Sequence, residues 1–151
     1  MFRKTSPIAV VFMLLVLLLA SLGAIRQANA DDLLPPDQAF RLKILFKNPQ
    51  TLIADFTPAP GYYLYKAKTK FALKNSTGVV IKEIRMPPGE TKQDQFFGVQ
   101  EIYTKPFQVE IALERAPNAK GATLLAVYQG CNEKVGVCYP PIQKSLDFKL
   151  P

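Results

Sequence analysis

Two cysteines, Cys131 and Cys138, are the only thiols in a 151-residue chain that contains no histidine and no tryptophan. They sit close together, in Tyr128-Gln129-Gly130-Cys131, then six residues, then Cys138-Tyr139-Pro140-Pro141. Without imidazole, the Cys–His and Ser–His pairs that usually activate a nucleophile are unavailable. A closed zinc site would need four ligands and would have to borrow carboxylates or a second chain. Copper(I) accepts fewer and softer ligands, so copper handling stays open as a third possibility behind two readings of a disulfide.

Of those two, the first is a structural bridge. Closing a loop of this length stabilises by about 2.5 kcal/mol on a chain-entropy argument, a modest gain because short loops lose little entropy when unfolded. The second is an exchanging bridge. The cysteines flank a short polar, turn-rich loop (Asn132, Glu133, Lys134, Gly136), where a sulfur would be open to a partner's thiolate. Lys134 could favour a thiolate electrostatically, or simply be a solvated charge. Spacing alone leaves both readings standing.

The compartment follows from the start of the chain. Arg3 and Lys4 precede an apolar run from about Ile8 to Ala20, and Ala28-Asn29-Ala30 supplies the small-x-small pattern of a signal-peptidase site. The expectation is a leader over 1–30, cut after Ala30, with an uncleaved anchor as the alternative. Export places the thiols where a disulfide persists. The remaining 121 residues (151 − 30) suit one domain with one core. Losing Arg3, Lys4 and Arg26 lowers the formal charge from +7 to +4. The cations that stay are dispersed among apolar residues, which does not make a nucleic-acid footprint.

Elements that must position the cysteines read as short strands. Leu42, Ile44 and Phe46 alternate with polar residues, as do Leu52, Ala54 and Phe56. Tyr62 to Lys66, Lys70 to Lys74, Val79 to Met86, Thr123 to Tyr128 and Ile142 to Leu150 are further candidates. Phe107, Val109, Ile111 and Leu113 give the clearest period of two. Asp31 to Ala39 reads as an extended entry, and Pro87 to Gly98 as a long polar loop carrying two adjacent aromatics, Phe96 and Phe97. Eight or so strands with thirteen prolines predict an all-β, immunoglobulin-like antiparallel sandwich.

At this point the motifs match a known family. The stretch Tyr128-Gln129-Gly130-Cys131…Cys138-Tyr139-Pro140-Pro141 resembles the active-site hairpin of the periplasmic N-terminal domain of DsbD, the bacterial transmembrane thiol:disulfide interchange protein. Four further pieces fall in the same order: Pro36-Asp37-Gln38-Ala39-Phe40, Gly61-Tyr62-Tyr63-Leu64-Tyr65, Asp94-Gln95-Phe96-Phe97-Gly98 with Glu101-Ile102-Tyr103, and Gly121-Ala122-Thr123-Leu124. The resemblance implies that 31–151 is an immunoglobulin-fold redox domain with the cysteine pair on a hairpin, acting as a protein-disulfide reductase within an electron relay. It implies a thioredoxin-like donor fed from the membrane, and periplasmic acceptors: DsbC-type isomerases and thioredoxin-like proteins of cytochrome c maturation. Cys138 would form the mixed disulfides and Cys131 would resolve them. Asp94 to Gly98 would be a cap over the pair, with Phe96 as shielding ring, Phe97 beside it, and Tyr63 and Tyr65 lining the site. No organic cofactor or metal is implied, and a monomer is expected.

Two departures stand out. The Cys-x6-Cys spacing is one residue longer than the resemblance leads one to expect, and Gln95 stands where an acidic residue is expected. The membrane and thioredoxin-like domains do not appear in this sequence.

Overall fold

The computed structural model describes residues 33–151, so the expected leader over 1–30 lies outside the described residues. Among the described residues, twelve strands, all paired antiparallel, form three sheets. The first is four-stranded, in the order β1 (Phe40–Asn48), β2 (Thr51–Pro58), β8 (Phe107–Arg115), β5 (Val79–Arg85). The second is three-stranded: β12 (Ile142–Lys149), β9 (Gly121–Tyr128), β4 (Lys70–Lys74).

These two sheets make the sandwich, and the alternation read from the sequence is what closes it. Leu52, Ala54 and Phe56 of β2 share a buried cluster with Val109 and Ile111 of β8 and Leu124 and Ala126 of β9. Edge-on aromatic pairs bridge the sheets: Phe46 with Phe148, Phe56 with Phe71, and Phe56 with Tyr128. Each such pair adds about 0.5–1.5 kcal/mol beyond the area it buries. The immunoglobulin-like sandwich expected from the sequence is the observed architecture.

The third sheet carries the chemistry. Its order is β11 (Val137–Cys138), β10 (Gly130–Asn132), β3 (Tyr62–Tyr65), β7 (Gly98–Tyr103), β6 (Glu90–Asp94). Strand β3 is buried at all four positions because both of its faces are covered. Tyr62 and Leu64 join the main core, whereas Tyr63 and Tyr65 form a separate small cluster with Ile102 and Cys131. One strand thus separates the folding core from the cysteine pair.

Two expectations are corrected. The entry segment is not extended throughout, since Pro36–Ala39 forms a helical turn, α1. Pro36 sits at its start, where a fixed φ and a missing N–H cost nothing. The supposed loop from Pro87 to Gly98 contains β6, which pairs with β7 in register from Glu90 opposite Ile102 to Asp94 opposite Gly98. This strand lies at a sheet edge and is largely exposed, so it has no apolar face to announce it. The four strands that alternation does not reveal, β6, β7, β10 and β11, all belong to the third sheet, and the last two form the hairpin that the resemblance implied.

Candidate functional site

Strands β10 and β11 form a tight hairpin that sets Cys131 directly opposite Cys138, and the two are joined in a disulfide. Asn132, which is buried, shapes the turn: its Oδ1 accepts from the N–H of Lys134 (2.9 Å) and of Val135 (3.2 Å). The hairpin is docked on the domain by Glu133 N–H donating to the Gly61 carbonyl (2.9 Å) and by pairing of Cys131 with Tyr63 on β3. Gly130 has no freedom to carry a side chain. A Cβ there would lie 2.2 Å from the Tyr63 carbonyl oxygen and 2.7 Å from the Phe40 ring.

The two sulfurs are not equivalent. Cys131 is 1% exposed, while Cys138 lies at the sheet edge and is only partly buried. An attacking thiolate must approach along the S–S axis and reaches the open end first.

Above the pair stands the turn between β6 and β7, organised by Asp94, which is 3% exposed. Its Oδ1 accepts from the N–H of Phe96 (2.8 Å) and of Phe97 (3.0 Å). Its Oδ2 accepts from the hydroxyls of Tyr63 and Tyr65, each at 2.7 Å. Burial by itself would raise the pKa of this carboxyl, but the four hydrogen bonds outweigh it and hold Asp94 below the usual carboxylate range. Tyr63 is pushed up to about 12, chiefly by burial, and Tyr65 higher still for the same reason, reinforced by its neighbours Tyr63 and Asp94.

Tyr65, fully buried, links cap and sulfur. Its hydroxyl lies 3.2 Å from Cys131 Sγ and 3.7 Å from Cys138 Sγ while donating its single proton to Asp94. The Phe97 ring packs edge-on against the Tyr65 ring at 5.2 Å, with Lys68 Nζ 3.8 Å from the centre of its face. Phe96, half-exposed, lines a cavity of about 250 Å³ together with Tyr63, Asp94 and Cys131. Gly98 closes the turn with φ +72°, a left-handed backbone that glycine adopts freely. Asp94, Phe96, Phe97, Tyr63 and Tyr65 are therefore brought together with Cys131 and Cys138, while Gly98 takes part only through the turn it closes. The stem of Lys134 lies along Gly61.

The sequence and the fold both have counterparts among known proteins. The family model for the N-terminal part of the thiol:disulfide interchange protein DsbD matches residues 30–150. The chain belongs to the DsbD N-terminal family. It is 40% identical to DsbD of Colwellia psychrerythraea over 78% of its length and 38% identical to that of Cronobacter sakazakii over 81%. It spans about a fifth of the length of these curated relatives (18% and 20%). Among solved structures it resembles the reduced N-terminal domain of Neisseria meningitidis DsbD, with TM-score 0.69, 36% identity, and coverage of 81% of this chain and 94% of that one. It also resembles the same domain in complex with the PilB N-terminal domain, with TM-score 0.63, 34% identity, and coverage of 77% and 87%.

Within this DsbD-type domain, several contributors escaped the sequence reading. The turn-rich loop with Asn132 and Glu133 was legible, but the hydrogen bonds that Asn132 accepts and the ion pair between Lys92 and Glu133 (2.5 Å) carry no motif of their own. Tyr62 and Tyr139 tie down the entry segment: the Leu34 N–H donates to Tyr62 (2.9 Å), and Tyr139 donates to the Leu34 carbonyl (2.5 Å). Two of the motifs include these tyrosines, Tyr62 in Gly61-Tyr62-Tyr63-Leu64-Tyr65 and Tyr139 in the hairpin stretch, but neither signals the contact.

Proposed function

We propose that this chain is an exported thiol–disulfide exchange domain that passes reducing equivalents to periplasmic proteins through Cys131 and Cys138. The observation that carries the reading is the asymmetry of the bond: one sulfur is sealed against Tyr65 and the other lies at the edge of the hairpin. In the forward direction the Cys138 thiolate attacks one sulfur of an acceptor's disulfide, and the other acceptor sulfur leaves as a thiolate and takes a proton. Cys131, after giving up its proton, attacks Cys138 Sγ. The intramolecular bond re-forms, the second acceptor thiolate is expelled, and two electrons have moved.

The bridge is then reduced again by an upstream thioredoxin-like donor supplied from the membrane. The acceptors are of the thioredoxin-like kind, disulfide isomerases of the DsbC type and cytochrome c maturation proteins. The Neisseria domain solved with the PilB N-terminal domain supports recognition of a separate protein domain. The electrons reside in the sulfurs, so no organic cofactor or metal is required. The domain works as a monomer, and a leader over residues 1–30 is cleaved on export. Residues 94–98 act as a movable cap that keeps stray thiols from the bond until a partner docks.

A Cys131→Ser variant tests this. With the resolving sulfur gone, Cys138 should accumulate mixed disulfides with thioredoxin-fold proteins, and the native pair should have a reduction potential above about −300 mV. No adduct, together with a potential below that value, would mark a structural bridge in a non-catalytic accessory module.

A further inference from the structure

The cap and the cysteine hairpin belong to the same sheet, but β6 and β10 are separated in it by β3 and β7. Asp94 anchors the cap to β3, not to the hairpin that bears the sulfurs. Among the described residues, a single polar contact runs directly from the β6–β7 hairpin to the β10–β11 hairpin. It joins Lys92 Nζ to Glu133 Oε1 at 2.5 Å, with side chains 28% and 54% exposed. Lys92 also stands 5.3 Å from the centre of the Tyr63 ring. Both residues line the cavity beside Cys131.

We propose that the Lys92–Glu133 pair is an electrostatic latch between the cap and the cysteine hairpin, and that its release controls how often the disulfide is exposed. The inference rests on the exchange reading of the bond. Lys92 sits on β6, two residues before the cap residues 94–98, so a movement that lifts this end of the β6–β7 hairpin together with the cap parts these two groups. Neither residue touches a sulfur, so both act as positioning residues. Glu133 lies in the turn that Asn132 shapes, and its backbone is held by Gly61. The latch therefore pulls against a fixed point.

The test is the rate at which dithiothreitol reduces the disulfide of the purified chain, followed by alkylating the released thiols, in Lys92→Gln, Glu133→Gln and the charge-swapped K92E/E133K double variant. Melting temperatures of the oxidised proteins check that all are folded. A latch predicts that both single variants are reduced faster, by about 1.5- to 5-fold, the range over which an exposed ion pair shifts a two-state opening, and that the swap returns the rate toward wild type. A plain charge effect on the anionic attacking thiolate predicts opposite signs, with Lys92→Gln slower and Glu133→Gln faster. Opposite signs, or unchanged rates, overturn the latch and leave the exchange reading intact. A wild-type bond that dithiothreitol fails to reduce removes the exchange reading, and the latch with it.

Discussion

Replacing Asp94 with asparagine separates the charge of the cap anchor from its shape. The amide keeps an oxygen where Oδ1 accepts from Phe96 and Phe97, so the turn retains both backbone bonds. At the other end an NH2 group replaces Oδ2, and the hydroxyls of Tyr63 and Tyr65 must accept where they now donate. Hydrogen bonds to a charged group contribute about 1.5–3 kcal/mol and neutral ones about 0.5–1.5, so two converted bonds weaken the anchor by about 2–3 kcal/mol. If the cap opens by lifting off these tyrosines, its open fraction rises roughly 30- to 160-fold. Small-thiol reduction of the Cys131–Cys138 bond should accelerate to match, measured by quenched alkylation under pseudo-first-order conditions. Unchanged reduction kinetics in a variant with a lowered melting temperature would refute the reasoning, because Asp94 would then hold the fold and not the cap. Acid adds a second readout. The folded carboxyl titrates below its unfolded value of about 3.9, so its stabilisation is present above that pH and is lost as pH falls through the lowered folded pKa. The stability gap between wild type and Asp94→Asn should therefore narrow below about pH 4 and be constant above pH 6.

Gly130→Ala should be severe for so small a change. The added methyl meets a backbone carbonyl and the buried Phe40 ring, and at a cost of at least about 3 kcal/mol the melting temperature should drop by about 10 °C; a drop under 2 °C would mean the strands separate easily there. Alkaline titration offers an independent check on the aromatic interior. Of six tyrosines, Tyr63, Tyr103, Tyr128 and Tyr139 are pushed up to about 12 and Tyr65 beyond, all chiefly by burial, whereas backbone and side-chain hydrogen bonds lower Tyr62 against its own burial. Groups raised in the folded state stabilise it fully below their unfolded value of about 10 and lose that contribution as pH climbs through 12. Phenolate absorbance should thus report about one tyrosine up to pH 10.5, with the others appearing together as the protein unfolds.

The sequence by itself determined the sandwich and the cysteine pair. Alternation in β1, β2 and β8 is a local property: each apolar side chain points to the core because its neighbours point away, and no distant information is needed. Cys131 and Cys138 are legible for a similar reason, being close in sequence and nearly the whole nucleophilic inventory of the chain. Tyr63 and Tyr65 were visible as residues and ambiguous as to face, because a strand of three tyrosines and a leucine, buried on both sides, has no period to read.

What surrounds the sulfurs was decided by tertiary structure. Strand β6 is polar and lies at an edge, so nothing in its composition distinguishes it from a loop until β7 pairs with it. Asp94 reaches Tyr63 and Tyr65 across 31 and 29 residues, and Lys92 reaches Glu133 across 41. Such contacts depend on how the third sheet brings its two hairpins together, and a charged side chain looks the same in sequence whether it meets water or a partner. Periodicity reports which way a side chain points; only the folded sheet fixes what it finds there.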